Sequence, residues 1–349
     1  MTLTAKPVDC VVRGAGIIGL SSALEMALRG ADIVLVDPVW PPRGASWAAA
    51  GMIAPAFEAA GQNGAHDRLF ELCMKSARLW PEWSDHLTRL TAMASGYSST
   101  ASKAVAIDEE TDRQLASVLN DLDEFGVEWQ ELAKGDLPGD AYWGARLPSD
   151  TQVDNRLMIE ALITACEQCE RITISRDERA WSDALQLVTA GWQTPGCLPV
   201  PLPIYPVSGQ MVSLERGSGD PIAPVRCGSV YIAPKSDRII IGATVEPNVK
   251  RQDVDQANIF DLMRTAARLF PDLAHRKIVE TWAGIRPGSP DHAPFLGQVD
   301  ARTFVAAGHH RNGILLAPLT ARYMADLILE GRSTDLLQAF SPLRGVAAP

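Results

Sequence analysis

One arginine is a strong candidate for binding chemistry, because it is a charge inside an apolar run. Arg286 lies in the stretch 282–288, which reads Trp-Ala-Gly-Ile-Arg-Pro-Gly. A charge in an apolar strand must find a partner or reach a cavity. Its guanidinium offers two parallel N–H donors to a carboxylate. We therefore predict that Arg286 binds an anionic group of a ligand. The alternative is a structural arginine paired with an internal Asp or Glu.

A glycine-rich turn near the beginning of the chain predicts a nucleotide site. Residues 8–13 form a short run with an apolar centre, Gly-Ala-Gly-Ile-Ile-Gly follows at 14–19, and a second apolar run ends at Asp37. This order predicts strand, turn, helix and strand, with a pyrophosphate at the helix N-terminus. The acidic residue would accept hydrogen bonds from ribose hydroxyls and repel a 2′-phosphate. The residues predicted to bind this dinucleotide are Gly14, Ala15, Gly16, Ile17, Ile18, Gly19 and Asp37.

A segment of small residues distinguishes between the possible dinucleotides. Residues 44–55 read Gly-Ala-Ser-Trp-Ala-Ala-Ala-Gly-Met-Ile-Ala-Pro. Small side chains let backbone N–H groups approach a flat ring closely, which suits a flavin and favours FAD over NAD. A tight helix start packed against a neighbouring element is the alternative. The residues predicted to contact the flavin here are Ser46, Ala49, Ala50, Gly51 and Met52.

The pattern of strand, glycine turn and helix recurs near the end of the chain. An apolar run at 304–307 precedes Gly-His-His-Arg-Asn-Gly at 308–313, and a helical stretch then continues to Glu330. The N-terminus of such a helix stabilises negative charge. We therefore expect a second ligand-binding turn at this place.

Five stretches together resemble the glycine oxidase and D-amino acid oxidase group of FAD enzymes. They are 44–55, Tyr-Pro-Val-Ser-Gly-Gln-Met at 205–211, a strand–turn–strand pattern at 229–244, the arginine stretch at 282–288, and the turn at 308–318. The resemblance covers roughly residues 8–331. It implies a non-covalently bound FAD that takes a hydride from the carbon beside the amino group of a small amino acid.

The resemblance also implies roles for single residues. Arg286 would bind the substrate carboxylate and the Tyr231 phenol would face the substrate. Arg311 would lie on the substrate side of the flavin, with a solvent-facing arginine as the alternative. The pocket would be lined by Met52, Val245 and His309. The second turn would contact the flavin through Gly308, His310, Arg311, Asn312, Gly313, Ile314 and Leu315.

Three positions depart from the pattern of that group. Trp47 stands where a small hydroxylated residue is expected, and Asn155 replaces a proline after Val-Asp. Val245 follows Gly-Ala-Thr where a longer pocket residue is common. Because a shorter side chain would open the pocket, Val245 favours N-substituted glycines or larger amines as alternative substrates.

Composition excludes several classes of protein. A net charge of −10 and a pI near 5.1 disfavour nucleic acid and anionic membrane surfaces as partners. No apolar run approaches the roughly 18 residues of a membrane span. Six scattered cysteines and a beginning unlike a signal peptide predict a reducing cytoplasm. The lone C-x-x-C at 166–169 lacks a second pair, so we expect no metal site.

The elements predict an α/β plus β architecture in two domains. A discontinuous Rossmann-like FAD-binding domain would comprise 1–88, 150–205 and 290–349. A sheet-rich substrate-binding domain would comprise 89–149 and 206–289. The two meet where the arginine stretch and the glycine turns must lie close together.

The expected activity is oxidative deamination of glycine or a similar small amine, a reaction that the resembling group can use to supply thiamine biosynthesis. Without a second nucleotide fingerprint, we expect the electrons to pass to O2 and form H2O2, although another acceptor stays open. Sarcosine, N-substituted glycines and D-amino acids are alternative substrates. An FAD-binding subunit without turnover and an NAD-dependent dehydrogenase are alternative classes. A homo-oligomer is compatible with the sequence.

Overall fold

The computed structural model describes residues 8–59, 67–177 and 184–344. Its strands are β1 (Cys10–Arg13), β2 (Ile33–Val36), β3 (Met52–Ile53), β4 (Tyr97–Ser98), β5 (Ser102–Ala106), β6 (Gln130–Glu131), β7 (Trp143–Leu147), β8 (Thr151–Val153), β9 (Ile172–Ser175), β10 (Leu185–Val188), β11 (Tyr205–Glu215), β12 (Val225–Cys227), β13 (Val230–Pro234), β14 (Arg238–Gly242), β15 (Glu246–Pro247), β16 (Ile278–Gly288), β17 (Phe295–Gln298) and β18 (Thr303–Ala307). Its helices are α1 (Ile17–Leu28), α2 (Ala45–Ala48), α3 (Pro55–Ala59), α4 (Asp67–Thr91), α5 (Glu109–Glu124), α6 (Asn155–Gln168), α7 (Gln256–Leu269), α8 (Gly313–Glu330) and α9 (Asp335–Gln338).

A six-stranded sheet forms the first half of the architecture, in the order β17-β18-β10-β1-β2-β9. Five of its strands run parallel and only β17 is antiparallel. All four residues of β2 are buried, as expected for a parallel strand covered on both faces. Because β1 and β18 point the same way, the glycine turns that follow them meet at one edge of the sheet.

A nine-stranded sheet forms the second half. Its order is β15-β11-β14-β13-β12-β5-β7-β6, and β16 also pairs with β11. The strand–turn–strand pattern predicted at 229–244 is confirmed, since β13 and β14 pair as an antiparallel hairpin. The predicted fold class, an α/β part with a parallel sheet plus a sheet-rich part, is likewise confirmed. The domain boundaries, some of which lie outside the described residues, stay a prediction.

A small sheet and an apolar cluster connect the two halves. β3 and β4 both pair with β8. One buried cluster contains Ala48 and Ala50 from the small-residue segment together with Met211, Tyr231 and Trp282 from the large sheet. The elements expected to hold a flavin and those expected to hold a substrate therefore pack directly against each other. None of the described helices is long and apolar enough to cross a bilayer.

Candidate active site

Two long helices begin without a hydrogen bond to the side chain of their own N-cap residue. α1 begins after Gly16 and α8 after Asn312, and neither has an acidic residue in its first turn. By contrast, Asp108, Asp154 and Asp255 accept hydrogen bonds from the first amides of α5, α6 and α7. An uncapped first turn leaves backbone N–H donors and the positive helix end open to an anion. Both uncapped helices follow the two glycine turns.

The first glycine turn is closed tightly by its neighbours. Gly14 has a φ of +103°, and a Cβ there would lie 2.7 Å from the Thr189 carbonyl oxygen. A Cβ at Gly19 would lie 1.8 Å from the Gly14 oxygen. At Gly16, only the Ser46 hydroxyl lies within 4 Å of such an atom, at 3.3 Å. The turn is therefore packed on the protein side and open above Gly16, which fits a pyrophosphate.

Asp37 and Ser46 brace this turn. Asp37 accepts the N–H of Ala15 through Oδ2 at 2.8 Å, and Ser46 Oγ accepts the N–H of Ile17 at 3.0 Å. Ile17 and Ile18 are themselves buried in the core against the sheet. Asp37 keeps part of its surface exposed at the end of β2, where a ribose would reach it.

Hydrogen bonds donated to its carbonyl oxygens fix the position of the small-residue segment. Asn155 Nδ2 donates to the carbonyl oxygens of Ser46 and Trp47, each at 2.9 Å, and Trp282 Nε1 donates to that of Ala48 at 2.9 Å. Gly51 has a φ of +73°, and a Cβ there would lie 2.0 Å from the Val153 oxygen. A planar ring bound here would therefore lie against small residues whose carbonyl oxygens already accept hydrogen bonds.

Two of the unusual sequence positions lie together behind this segment. Asn155, which replaces the expected proline, is the residue that bonds to the Ser46 and Trp47 carbonyls. The next residue, Arg156, stacks over the Trp47 ring at 3.8 Å and pairs with Glu280 at 2.8 Å. The start of α6 thus accommodates the bulky Trp47, because the Arg156 guanidinium lies over the indole face as a cation–π partner.

The second glycine turn is equally constrained. Gly308 has a φ of +74°, and His310 has a φ of 49° that is uncommon for a residue with a side chain. The His310 N–H donates to the Pro287 oxygen at 2.9 Å, which ties this turn to the end of the arginine strand. Asn312 Oδ1 is buried without a partner among the described residues. Gly313 and the buried Ile314 and Leu315 open α8 directly behind it.

Both histidines of this turn are neutral at physiological pH. Burial lowers the pKa of His309 to about 3, and its Nε2 lies 3.3 Å from Thr320 Oγ1. Burial, followed by the charges of neighbouring residues including Arg311 and Arg286, lowers the pKa of His310 to about 3. The His310 ring also contacts the His292 ring, with centroids 4.6 Å apart. Side chains with such low pKa values are poor general bases at neutral pH.

Arg286 has no carboxylate within 4 Å among the described residues. Its NH1 group donates to the Thr244 carbonyl oxygen at 3.2 Å, and the Tyr231 phenol is a neighbouring polar partner. The guanidinium lies flat against Gly209, where a Cβ would come within 2.2 Å of NH1. Burial lowers the pKa of Arg286, but a guanidinium remains protonated at physiological pH. The alternative of an internally paired arginine finds no acidic partner in this part of the structure.

The Tyr231 side chain lies near this arginine and packs against a second glycine, Gly242. It lies opposite Gly242 in the hairpin, and a Cβ at Gly242 would come within 2.6 Å of the phenol oxygen. The phenol donates to the Met211 sulfur at 3.3 Å, a weak acceptor that a carboxylate would replace. Burial raises the pKa of Tyr231, so the phenol keeps its proton. Met52 packs against the same apolar cluster.

Arg311 is paired, which the sequence analysis did not anticipate. Its Nε lies 3.0 Å from Glu58 Oε2, and Arg226 NH2 donates to Glu58 Oε1 at 2.6 Å. Burial opposes the charge on Glu58, but Arg311 and Arg226 outweigh it and hold the pKa of Glu58 at about 2. One sequence signal could have drawn attention to Glu58, because it is the first acidic residue after Asp37.

Val245 lies at the rim of the site. Its side chain is 45% exposed, directly after Thr244, whose carbonyl oxygen binds Arg286. Its assignment to the substrate pocket stays a prediction, as do the roles of the other site residues.

Comparisons with known proteins identify the family of this chain. The family described as DAO, FAD dependent oxidoreductase, matches residues 9–327. The bifunctional protein ThiO/ThiG of Synechocystis sp. is 33% identical over 96% of this chain, which spans 54% of that longer protein. Glycine oxidase of Geobacillus kaustophilus is 29% identical over 97% of both chains.

The solved structures include a relative of high similarity. The crystal structure of glycine oxidase from Geobacillus kaustophilus superposes with a TM-score of 0.88 at 28% identity, covering 97% of this chain and 99% of the other. The prediction of FAD as the cofactor is confirmed by the family match. The chain belongs to the DAO family of FAD-dependent oxidoreductases.

Proposed function

We propose that this protein oxidises glycine or a similarly small amine, taking a hydride equivalent from the carbon that carries the amino group. The observation that carries the proposal is the Arg286 guanidinium, which lies beside the Tyr231 phenol without a carboxylate partner among the described residues. A half-buried cation that lacks a carboxylate partner is unfavourable unless a ligand anion neutralises it. The similarity to glycine oxidases supports the same substrate class.

The substrate carboxylate would bind between Arg286 and Tyr231. The guanidinium supplies two parallel donors, and the phenol turns its proton from the Met211 sulfur to a carboxylate oxygen. Gly209 and Gly242 keep the two side chains flat against the sheet. This arrangement holds Cα of the substrate in one place, and positioning of this kind accounts for much of an enzymatic rate enhancement.

The charges around the site favour the neutral form of the substrate amine. Arg226, Arg286 and Arg311 are three cations, and Glu58 is the carboxylate that lies among them. A net positive surrounding disfavours an additional ammonium charge and lowers its pKa. A neutral amine is the form that can release electrons from Cα, so no dedicated protein base is required. The neutral His309 and His310 are consistent with this view.

The residues present fit FAD. The starts of α1 and α8 and the opening above Gly16 would hold its pyrophosphate and ring edge, with Gly51 against the ring. Asn312 Oδ1, which has no partner among the described residues, would accept an N–H of the ring. Bound there, FAD would supply a two-electron acceptor for the hydride from Cα, and O2 would take up the two electrons with two protons to give H2O2. The imine product then hydrolyses to an aldehyde acid and ammonia. A link to thiamine biosynthesis stays a prediction.

N-substituted glycines are a second candidate class of substrate. The observation that favours them is Val245, which is short and 45% exposed beside the Arg286–Thr244 contact. A group on the substrate nitrogen could extend past this side chain without a clash. Sarcosine is the smallest amine that tests this idea.

The deciding experiment mixes the purified yellow protein with glycine, sarcosine, a larger N-carboxymethyl amine and D-alanine under anaerobic conditions. We expect glycine or sarcosine to bleach the flavin absorbance, and oxygen to restore it with release of H2O2. The rates rank the substrates and distinguish the two candidate classes. If none of the four bleaches the flavin, the proposed oxidase activity is wrong and an FAD-binding subunit without turnover is favoured.

A further inference from the structure

The carboxylate of Glu58 is placed by the fold rather than by chance contacts. Glu58 lies in α3, whose first turn is held by Asp150: its carboxylate accepts the N–H groups of Ala56 at 2.8 Å and Phe57 at 3.1 Å. The short α3 follows β3, which begins at Met52 and ends the flavin-facing segment. Asp150 therefore fixes both the position and the direction of the helix that carries Glu58.

The two oxygens of Glu58 serve two different arginines. Oε1 binds Arg226, whose side chain is 1% exposed, and Oε2 pairs with Arg311, whose side chain is 26% exposed. Arg226 is enclosed, because its guanidinium lies 4.6 Å from the centroid of the Phe57 ring and it pairs with Tyr231 on the neighbouring strand. Arg311 is the more exposed of the two arginines, and its Nε is the nitrogen nearest to Glu58, 3.0 Å from Oε2.

The charge balance allows Arg311 to act on a ligand. Glu58 is also paired with the buried Arg226, so its charge does not depend on Arg311 alone. When Arg311 contacts a ligand anion, Glu58 does not become an unpaired buried carboxylate, a state that would be strongly unfavourable. Because Nε lies against Glu58, the two terminal nitrogens of Arg311 are the donors available to a ligand.

We propose that Glu58 and Arg226 are positioning residues, which hold Arg311 so that its terminal nitrogens bind the carboxylate of the substrate together with Arg286. This inference rests on the proposed function, because it takes a small amino acid as the ligand. Glu58 acts through Arg311, and Arg226 keeps the buried carboxylate charged and in place.

The test uses Glu58→Gln in the FAD-loaded protein, with acetate as a probe that binds without turnover. Acetate binding is read from the change in the flavin absorbance spectrum, and glycine oxidation gives KM and kcat separately. We expect acetate Kd and glycine KM to rise about 10-fold, which corresponds to the loss of one charged hydrogen bond, while kcat changes less than about 3-fold. Glu58→Asp retains the charge and should recover part of the affinity, and it replaces Glu58→Gln if that variant does not fold.

A matched control is available elsewhere in the chain. Asp220 also binds two arginines, with Oδ2 3.2 Å from Arg216 and Oδ1 3.4 Å from Arg276, and its side chain is 2% exposed. Asp220 lies after the C-terminal end of β11, whereas Gly209 lies within that strand. Asp220→Asn should alter the melting temperature but leave acetate Kd and glycine KM unchanged.

A double-mutant cycle separates positioning from general destabilisation. In an Arg311→Ala background, Glu58→Gln should change acetate Kd less than about 2-fold, because the residue through which it acts is gone. An undiminished effect there, or an effect in the single variant no larger than that of Asp220→Asn, overturns the proposal. So does a wild-type protein that does not bind acetate. Acetate binding without oxidation of any amine would instead contradict the proposed function alone.

Discussion

The nucleotide end and the substrate end of this site are built from different atoms. At the nucleotide end, the groups offered to a ligand are backbone amides of two uncapped helices and a wall of small residues. At the substrate end, they are the side chains of Arg286, Tyr231 and Arg311, which come from β16, β13 and the turn before α8. One end depends on local backbone shape, whereas the other depends on charges brought together from distant segments.

This difference determines which substitutions each end tolerates. A backbone site is insensitive to most side-chain changes but sensitive wherever a Cβ would meet the chain, as at Gly51. A side-chain site is sensitive to charge, because each buried ion is balanced by its neighbours. Losses at the first end should appear as weaker FAD binding, and losses at the second as weaker substrate binding with FAD retained.

Arg286→Ala should have the largest effect on catalysis. Loss of one member of a buried charge pair costs about 2–5 kcal/mol, so we expect kcat/KM for glycine to fall about 10³-fold with the flavin spectrum intact. Steady-state kinetics and the absorbance of the purified variant measure both quantities. Near-normal kcat/KM would remove Arg286 from the substrate end.

Gly51→Ala should break the nucleotide end instead. The positive φ and the 2.0 Å approach of a Cβ to the Val153 oxygen force the segment to shift. A strain of about 3 kcal/mol corresponds to an FAD Kd about 100-fold higher, measured by titrating the apoprotein with FAD. Gly44→Ala is the matched control, because a Cβ at Gly44 has nothing within 4 Å. Equal FAD affinity in both variants would contradict the division between the two ends.

Gly209→Ala sharpens the comparison, because it alters a glycine at the substrate end. Its Cβ would displace the Arg286 guanidinium, so we expect kcat/KM for glycine to fall about 10-fold while FAD Kd stays unchanged. Gly135→Ala, where a Cβ meets nothing within 4 Å, should leave both values unchanged. An FAD defect in Gly209→Ala would show that the two ends are not independent.

Asp150 gives the smallest effect, which depends on pH. Burial raises the pKa of Asp150 from 3.8 to about 7, although the amides of Ala56 and Phe57 oppose the rise. Between these values the unfolded chain binds fewer protons than the folded one, so this group lowers the free energy of unfolding as pH rises. Asp150→Asn should remove that slope. Melting temperatures at pH 5 and pH 8 compare the two proteins, and parallel changes in both would contradict the assignment.

The local part of the architecture could be predicted from the sequence because its causes are local. Glycine spacing and apolar periodicity indicate the turn after β1, the turn after β18 and the hairpin of β13 and β14, and all three elements are present. Arg286 could be identified because a charged residue in an apolar run needs a partner or a ligand to offset the cost of its burial. The resemblance to a known family supplied the expected roles of Tyr231 and Arg311.

The partners of these residues could not be predicted in the same way. Glu58 and Arg226 are 168 residues apart in the chain, and no local pattern relates them. Asn155, interpreted only as a missing proline, bonds to carbonyls more than a hundred residues away. Nothing in the local sequence distinguishes Gly209 and Gly242 from other strand glycines. Only the folded structure shows that the Arg286 and Tyr231 side chains lie against them.

The sequence by itself thus determined the nucleotide-binding framework and the FAD family, and it singled out Arg286 as the proposed substrate-binding arginine, since short-range steric rules and motif spacing suffice for these. Only the tertiary structure decided which charges face each other. The free energy of a buried ion depends on every neighbour within a few ångströms, and those neighbours come from sheets and helices that are remote along the chain. Whether Arg311 is free or held by Glu58 could therefore be read only from the folded molecule.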